Sequence, residues 1–575
     1  MPTQPITSIP ISSPGYFGLN TSDSPVGMAV SFAAIADHCV IDTLGRIGSR
    51  KGFRAHTLNP AESYDQYPCQ RVTEFVDILG AKWHISAGGG FIFKNTLSTR
   101  IATKIPGFTG TGSTDPEQNN FQFASLGDRL YLINGYVNPQ QFAPGQNDNL
   151  ISPMSLANSD GSEDPPFYPS DAGFPSYPSC CTAGFGRLFM SGFTENKSLI
   201  VYSTLQGQTN PVPDSKGGLR WAGTIDVSQY WPDGTDVVTA MAVHNNYLIV
   251  FGKRSILVYG DPSGADNVYQ LSLQDTVSGI GCIARDSIAA LGTDLVFLDA
   301  SGLRSFGRTL QEKSLPIGNL SGNIQSDIEQ AIRLSNPNDI VGFYNPEDSL
   351  YTLTFPDEAL TYAFDTKIPL ENGTLKTTRW PNRYIKCGFR SVSGKTFYCG
   401  IGGLYEYIGN SDRSFVVLGS GAPQSRNSNP FGIPSVSAII DYLPEHMDWP
   451  IEFRYWTQPQ SFGAQSKLKF LKEVDITLAG GGGNDLWLKW VFNYSDPVSE
   501  VRLRQVGSVL YYYAAQDSEY DSLATYSGGE GLIASKRLKV WGSGRVVSLG
   551  FEVSVTENHF SIQELNIQAL LGRTV

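Results

Sequence analysis

One pattern recurs seven times across roughly residues 70 to 410: an apolar strand, a tight polar turn, a Leu/Tyr/Val-rich strand, a second turn, and a short strand closing on an aromatic. The clearest copy is TAMAVHNNYLIVFGKRSILVYGD. In it Asn245-Asn246 makes the first turn, Tyr247 to Phe251 the middle strand, and Gly252-Lys253-Arg254 the second turn. SIAALGTDLVFLDASGLRSFGR follows, turning at Gly292-Thr293-Asp294 and Ala300-Ser301-Gly302, with Phe306 where the first copy has Tyr259. Looser copies turn near Gly80 and at Gly88 to Gly90, at Gly127-Asp128, near Gly186, at Pro346 to Ser349, and at Ser393-Gly394 with Gly402-Gly403. Turn-to-turn steps of about 46 to 59 residues lie near the ~40–50 residues of a propeller blade. A single hairpin cannot bury both faces in water. Stacked radially, each four-stranded sheet covers the next, and the ring leaves only short edges. The repeat therefore predicts an all-β chain built on a six- or seven-bladed β-propeller. A series of unrelated β-meanders is the other architecture it allows.

Composition agrees. Twelve per cent of the 575 residues are aromatic, and 60 Gly and 34 Pro supply turns. The net charge of −12, with no Lys/Arg-rich run, argues against a protein that grips nucleic acid by its phosphates. The seven cysteines are scattered without any C-x-x-C, which reads as reduced core thiols in a chain folded in a cytosol. The N-terminus lacks the basic start and apolar run of a signal peptide. No run approaches ~20 uninterrupted apolar residues.

Residues 1–60 fall outside the repeat and read as an N-terminal arm or platform segment. Phe32, Ile35 and Ala36 stand at i, i+3 and i+4, which predicts a short helix; Asp42 with Gly45 predicts a hairpin turn. A second helix is expected from Ser321, as N-cap, to Leu334, with Ile324, Ile328 and Ile332 every four residues and Pro337 ending it. The propeller is expected over 61–435. Residues 436–575 hold long alternating runs such as IEFRYWTQPQSF, DLWLKWVFNY and SVLYYYAAQ, which predict a C-terminal β-sandwich platform domain. Gly480 to Gly483 reads as a loop, because a phosphate cradle needs a following helix and Leu486-Trp487-Leu488 reads as strand.

Motifs for chemistry are sparse. His38, His56, His84, His244, His446 and His559 show no metal-ligand spacing, so neither metal nor cofactor is expected. There is no G-x-S-x-G elbow and no G-x-x-x-x-G-K-[ST] loop. Asp226, Asp233 and Asp236 cluster around Tyr230 and Trp231, as a sugar site could, but a solvated loop is the simpler reading. Tyr259, Phe306 and Tyr407 hold fixed places in the repeat and read as core. The chain is not expected to be an enzyme, and no catalytic residue is assigned. A glycan-binding or glycan-hydrolysing propeller is the alternative, although no S-x-D-x-G-x-T-W box recurs.

The stretch GYFGLNTSDSPVGMAVSFAAIADHCVIDTLGRIGSRKGF, Gly15 to Phe53, resembles the opening of the tail nozzle proteins (tail tubular protein B type) of short-tailed bacteriophages, the podoviruses. The block from Val237 to Arg308 is similar to that family's central propeller repeats. The resemblance implies a virion tail protein, made in the host cytoplasm. It implies a homohexameric tube below the tail adaptor, the head-tail connector ring. Tail fibres or tailspikes would dock outside it and a needle or tip protein would close its end. Viral DNA would pass without specific binding, which an acidic or neutral lumen would favour. It also implies that propellers surround the channel while the terminal β parts form a platform facing the adaptor. Gly18, Leu19, Asn20, Arg46, Arg50 and Gly52, in the matching stretch, are the expected assembly-interface residues; pinning of local turns is the alternative role.

Overall fold

Two-residue turns with left-handed backbone set the hairpins. Asn245 and Asn246 have φ of 48° and 63°, and Phe185 and Gly186 of 52° and 70°. Positive φ at both central positions twists the turn in the sense that the flanking strands require. His244 thus pairs with Tyr247, and Gly184 with Arg187.

In the computed structural model, most of residues 6–574 are described; the longer stretches outside the described residues are 59–68, 96–102, 106–119, 144–150, 154–176, 206–220, 261–270, 313–318, 417–444 and 507–532. Six small sheets and one end of a larger sheet form the propeller. Blades 1 to 4 are four-stranded meanders that begin with Arg71–Val76, Gln122–Leu126, Cys180–Gly184 and Ala240–His244. Blade 5 has three strands among the described residues, from Ala289–Leu291 to Gly302–Ser305. Blade 6, Val341–Asn345 to Lys376–Pro381, is the end of a ten-stranded sheet. Blade 7 contains Ile385–Arg390, Thr396–Gly400 and Gly403–Tyr407, and its fourth strand, Phe53–Leu58, comes from the other end of the chain. The innermost strands of neighbouring blades touch, Ala240–His244 reaching blade 5 through the 3-10 turn Arg285–Ser287, and Ile385–Arg390 returns to Arg71–Val76, so the ring is closed. All seven copies of the repeat are blades.

A separate apolar core fills six of the seams, and the core between blades 5 and 6, with Leu298 and Tyr351, is continuous with that of the C-terminal strands. Phe75, Ile85 and Leu130 lie between blades 1 and 2, for example, and Phe251, Phe297 and Phe306 between blades 4 and 5. Tyr259, Phe306 and Tyr407 are all buried, as repeat fillers should be.

The C-terminal strands form a sandwich. One sheet holds Lys467–Gly480 and Phe560–Thr574, with Ile6–Ser12, Cys39–Ile41 and Ile47–Ser49 added from the N-terminal segment. The other holds Ile451–Thr457, Val547–Val555 and Asn484–Phe492, with Phe32–Asp37 added. Strict alternation of burial along Asn484–Phe492 turns Leu486, Leu488 and Trp490 inward, against Val474, Ile476 and Ile567 of the facing sheet. Gly18–Leu19 pairs in parallel with both Lys376–Pro381 and Phe32–Asp37, so blade 6 and the sandwich share one sheet. Gly18 has a φ of 80°, and a Cβ there would lie 2.3 Å from the Thr377 carbonyl oxygen. Gly18→Ala is expected to cost about 1–3 kcal/mol, read as a lower denaturant midpoint at unchanged slope.

Four expectations need correction. Phe32–Asp37 is a strand, not a helix: a bulge between Ala33 and Ile35 buries Ala33 and Ala36, and that spacing of three imitates a helical face. The Asp42–Gly45 turn does join a hairpin. The second helix is a 3-10 turn, Gly322–Ile324, running into an α-helix, Gln325–Leu334. Ser321 does not cap it; its hydroxyl bonds Asn319 and Leu303, and Ser22 Oγ accepts the Gln325 N–H instead. Phe306 opens a short helix, Phe306–Glu312, rather than ending a strand. Cys387 and Cys399, opposite each other across two strands of blade 7, form a disulfide; the other five cysteines are buried. SVLYYYAAQ and residues 481–483 of the Gly run lie outside the described residues.

Candidate functional site

The residues singled out in the N-terminal stretch lie inside a single chain. Leu19 is in the sandwich core. The Asn20 side-chain oxygen accepts from the Ser22 and Asp23 N–H groups, while its carbonyl accepts from Gln458. Arg46 pairs with Asp42 across the hairpin turn at 2.5 Å. At Gly52 a Cβ would sit 1.9 Å from the Ser411 carbonyl oxygen, so only Gly lets the two backbones pass. Gly18, Leu19, Asn20, Arg46, Arg50 and Gly52 therefore present little surface to another molecule. Their contacts attach the N-terminal segment to the sandwich and to blades 6 and 7.

Arg50 is the centre of that attachment. It is fully buried and donates two bonds to Asp412, at 2.8 and 2.6 Å. Asp412 also accepts from Arg383 at 2.5 Å and from the Phe53 N–H at 3.0 Å. Burial alone would raise the Asp412 carboxyl, but Arg383 and Arg50 outweigh it and hold it below the usual range. Arg50 Nε points at His38 Nδ1, 3.3 Å away. Burial, reinforced by Arg50 and Arg383, keeps that imidazole neutral and therefore able to accept. One carboxylate thus joins the N-terminal segment (Arg50, Phe53), the link into blade 7 (Arg383) and the start of the strand Asp412–Val416. Sequence reading missed Asp412, Arg383 and His38; Arg50 and Asp412 are 362 positions apart, and no local motif joins them.

A second polar hub closes one end of the propeller's own axis, where the innermost strands begin. Arg285 donates to Asp286, to the Ser179 carbonyl and to Asn120. Arg71 donates to Asp286 and to the Lys386 carbonyl. Asn120 reaches across to the Asn338 carbonyl, and Lys386 pairs with Asp339 at 2.9 Å. Six blades meet in this network. Burial would raise the Asp286 carboxyl, yet Arg285 and Arg71 bring it down to about 2. Apart from Arg71 Nε, these groups bond one another, so an axial ligand would have to displace existing bonds.

Elsewhere, polar groups serve structure. Asp236 accepts the Val237, Lys253 and Arg254 N–H groups and so caps the second turn of blade 4, while Trp231 is buried in the seam core. Asp226 accepts the Ser228 N–H, and Asp233 lies outside the described residues. Among the described residues no group of three or more His, Cys, Asp or Glu is placed to hold a metal. A cleft of about 450 Å³ lies between the Asp42–Arg46 turn and blades 6 and 7. Its Lys51 reaches Glu347 at 3.1 Å and Asp348 at 2.9 Å.

No protein-family model matches the chain, and no curated protein does. Solved structures align with it loosely. YCF48 from Cyanidioschyzon merolae matches at 12% identity and a TM-score of 0.32, over 60% of this chain and 96% of its own. The WD40 β-propeller domain of Doa1 matches at 11% and 0.33, over 62% and 96%. An exo-β-1,3-galactanase from Phanerochaete chrysosporium matches at 9% and 0.23, over 78% and 95%. Likeness this distant says nothing of activity or partners.

Proposed function

We propose that this chain is a structural subunit of a short-tailed bacteriophage tail, a nozzle of the tail tubular protein B type. Six copies would form a tube beneath the adaptor ring, and the genome would pass through it into the host. The observation that carries this reading is the role of the N-terminal stretch. The residues that resemble the nozzle opening, Gly15 to Phe53, are those that fasten the sandwich to the propeller, through Gly18, Arg50 and the strand that begins at Phe53. A platform continuous with blade 6 suits a part that must carry load without hinging. Two further features support the reading. The polar groups at the propeller axis are engaged with one another, and the net charge of −12 disfavours a grip on DNA.

Sedimentation of the purified chain with a candidate adaptor ring tests the proposal. Co-sedimentation as one large complex is expected, with no retardation of duplex DNA at moderate salt. Saturable glycan binding or glycan hydrolysis by a monomer indifferent to the adaptor would overturn it in favour of the glycan-active alternative.

A further inference from the structure

The seam between blades 7 and 1 differs from the other six. It is where the ring closes, and its closing strand, Phe53–Leu58, comes from the N-terminal segment. Its core is Val72, Phe389, Phe397, Leu404 and neighbouring residues, but two imidazoles are set beside it. His84, on the second strand of blade 1, is 1% exposed and packs against Phe389 and Phe397 with ring centroids 5.2 and 5.5 Å away. His56, on the closing strand, packs on Phe397 at 5.1 Å and faces His84 at 6.1 Å. Neither nitrogen of His84 has a hydrogen-bond partner, nor has Nε2 of His56. Buried donors and acceptors are rarely left this way.

Glu74 completes the group. It stands opposite His84 in the strand register, and its carboxylate lies 3.7 Å from His84 Nε2, too far for a hydrogen bond. Both its oxygens are engaged in blade 7: Ser391 Oγ donates to one at 2.9 Å and the Val392 N–H to the other at 2.5 Å. Glu74 thus ties blade 1 to blade 7. The other charged groups around His56 are Glu406, Lys395 and Arg54; Lys395 and Glu406 pair with each other at 2.9 Å. Phe389 and Phe397 are the rings packed on His84.

We propose that this seam is an acid-operated latch: protonation of His84 draws Glu74 away from Ser391 and Val392, sets a charge against His56, and frees the closing strand. The proton comes from solvent and no covalent bond changes. The latch does not depend on what the chain assembles with. Burial pushes the His84 imidazole down to about 4, despite Glu74, and lowers His56 as well. The sign follows. An unfolded or opened imidazole takes up its proton near 6.5, the closed one only near 4. Closure is therefore fully favoured above about pH 6.5 and weakens as pH falls towards 4, by up to about tenfold per pH unit for one proton taken up.

The test is backbone hydrogen exchange by mass spectrometry on the full chain at pH 7 and pH 5, with rates corrected for their intrinsic pH dependence. Protection of residues 53–58 and 71–88 is expected to drop by more than tenfold at pH 5, while 467–480 and 560–572 of the sandwich hold. His84→Phe, which keeps an aromatic ring between Phe389 and Phe397, is expected to abolish the drop. A second readout needs no variant: exchange at the imidazole C2 carbon of the native chain reports each histidine's titration, and His84 is expected to stay neutral well below pH 6. Equal loss of protection in seam and sandwich, an unchanged acid response in His84→Phe, or titration of His84 near 6.5 would each overturn the proposal.

Discussion

Asp412→Asn is expected to lower stability by about 3–5 kcal/mol, the scale on which breaking a buried ion pair acts. The carboxylate is 1% exposed and is the anion shared by two buried guanidiniums. With an amide in its place, Arg50 and Arg383 face each other with no counter-charge. The neutral His38 beside them can accept a bond but cannot offset a charge. The amide keeps one oxygen for the Phe53 N–H and Arg50 Nη1, at the start of the strand that closes blade 7, but sets an NH2 donor against Arg50 Nη2 and the Arg383 guanidinium. Denaturant unfolding of the variant is expected to show an earlier midpoint, and limited proteolysis an earlier cut in the N-terminal segment than in the sandwich. A midpoint within 1 kcal/mol of wild type would mean that the apolar cores alone close the ring.

Asp286→Ala is expected to cost a similar ~3–5 kcal/mol, because Arg285 and Arg71 would be left around an empty position at the axis. Its pH signature differs from that of the latch. The Asp286 carboxyl is held at about 2, against ~3.9 in an unfolded chain. The stability it contributes is present in full above about pH 4 and is lost as pH falls through 2. The gap in Tm between wild type and variant should therefore be constant from pH 7 to about 5 and narrow below 4. A gap that stays constant down to pH 2.5 would show that the loss came from packing and not from charge.

The propeller was legible in the sequence because its signals are local. Period-two runs and positive-φ turns such as Asn245-Asn246 and Gly127 each lie within one hairpin, and seven hairpins of one kind have few ways to bury their faces. The sandwich was legible for the same reason in Asn484–Phe492 and Val547–Val555. What joins the parts was not. The Phe53–Leu58 strand completes a blade whose other strands begin at Ile385, and Ile6–Ser12 pairs with Phe560–Thr574. Nothing within a short window marks a strand for a partner hundreds of residues away. The bulge at Ala33–Ile35 misled in the opposite sense, by giving a strand a helix-like spacing. The polar hubs were equally hidden. Asp412 and Asp286 look like any other loop acids until the fold brings two arginines to each.

Electron microscopy of the purified chain at high concentration, alone and with its candidate adaptor ring, bears most directly on the nozzle assignment. A six-fold ring with an open axial channel is expected, with the sandwich layer against the adaptor and the propellers around the channel. A compact monomer under both conditions, with a ligand-lined pocket at the propeller axis, would contradict it.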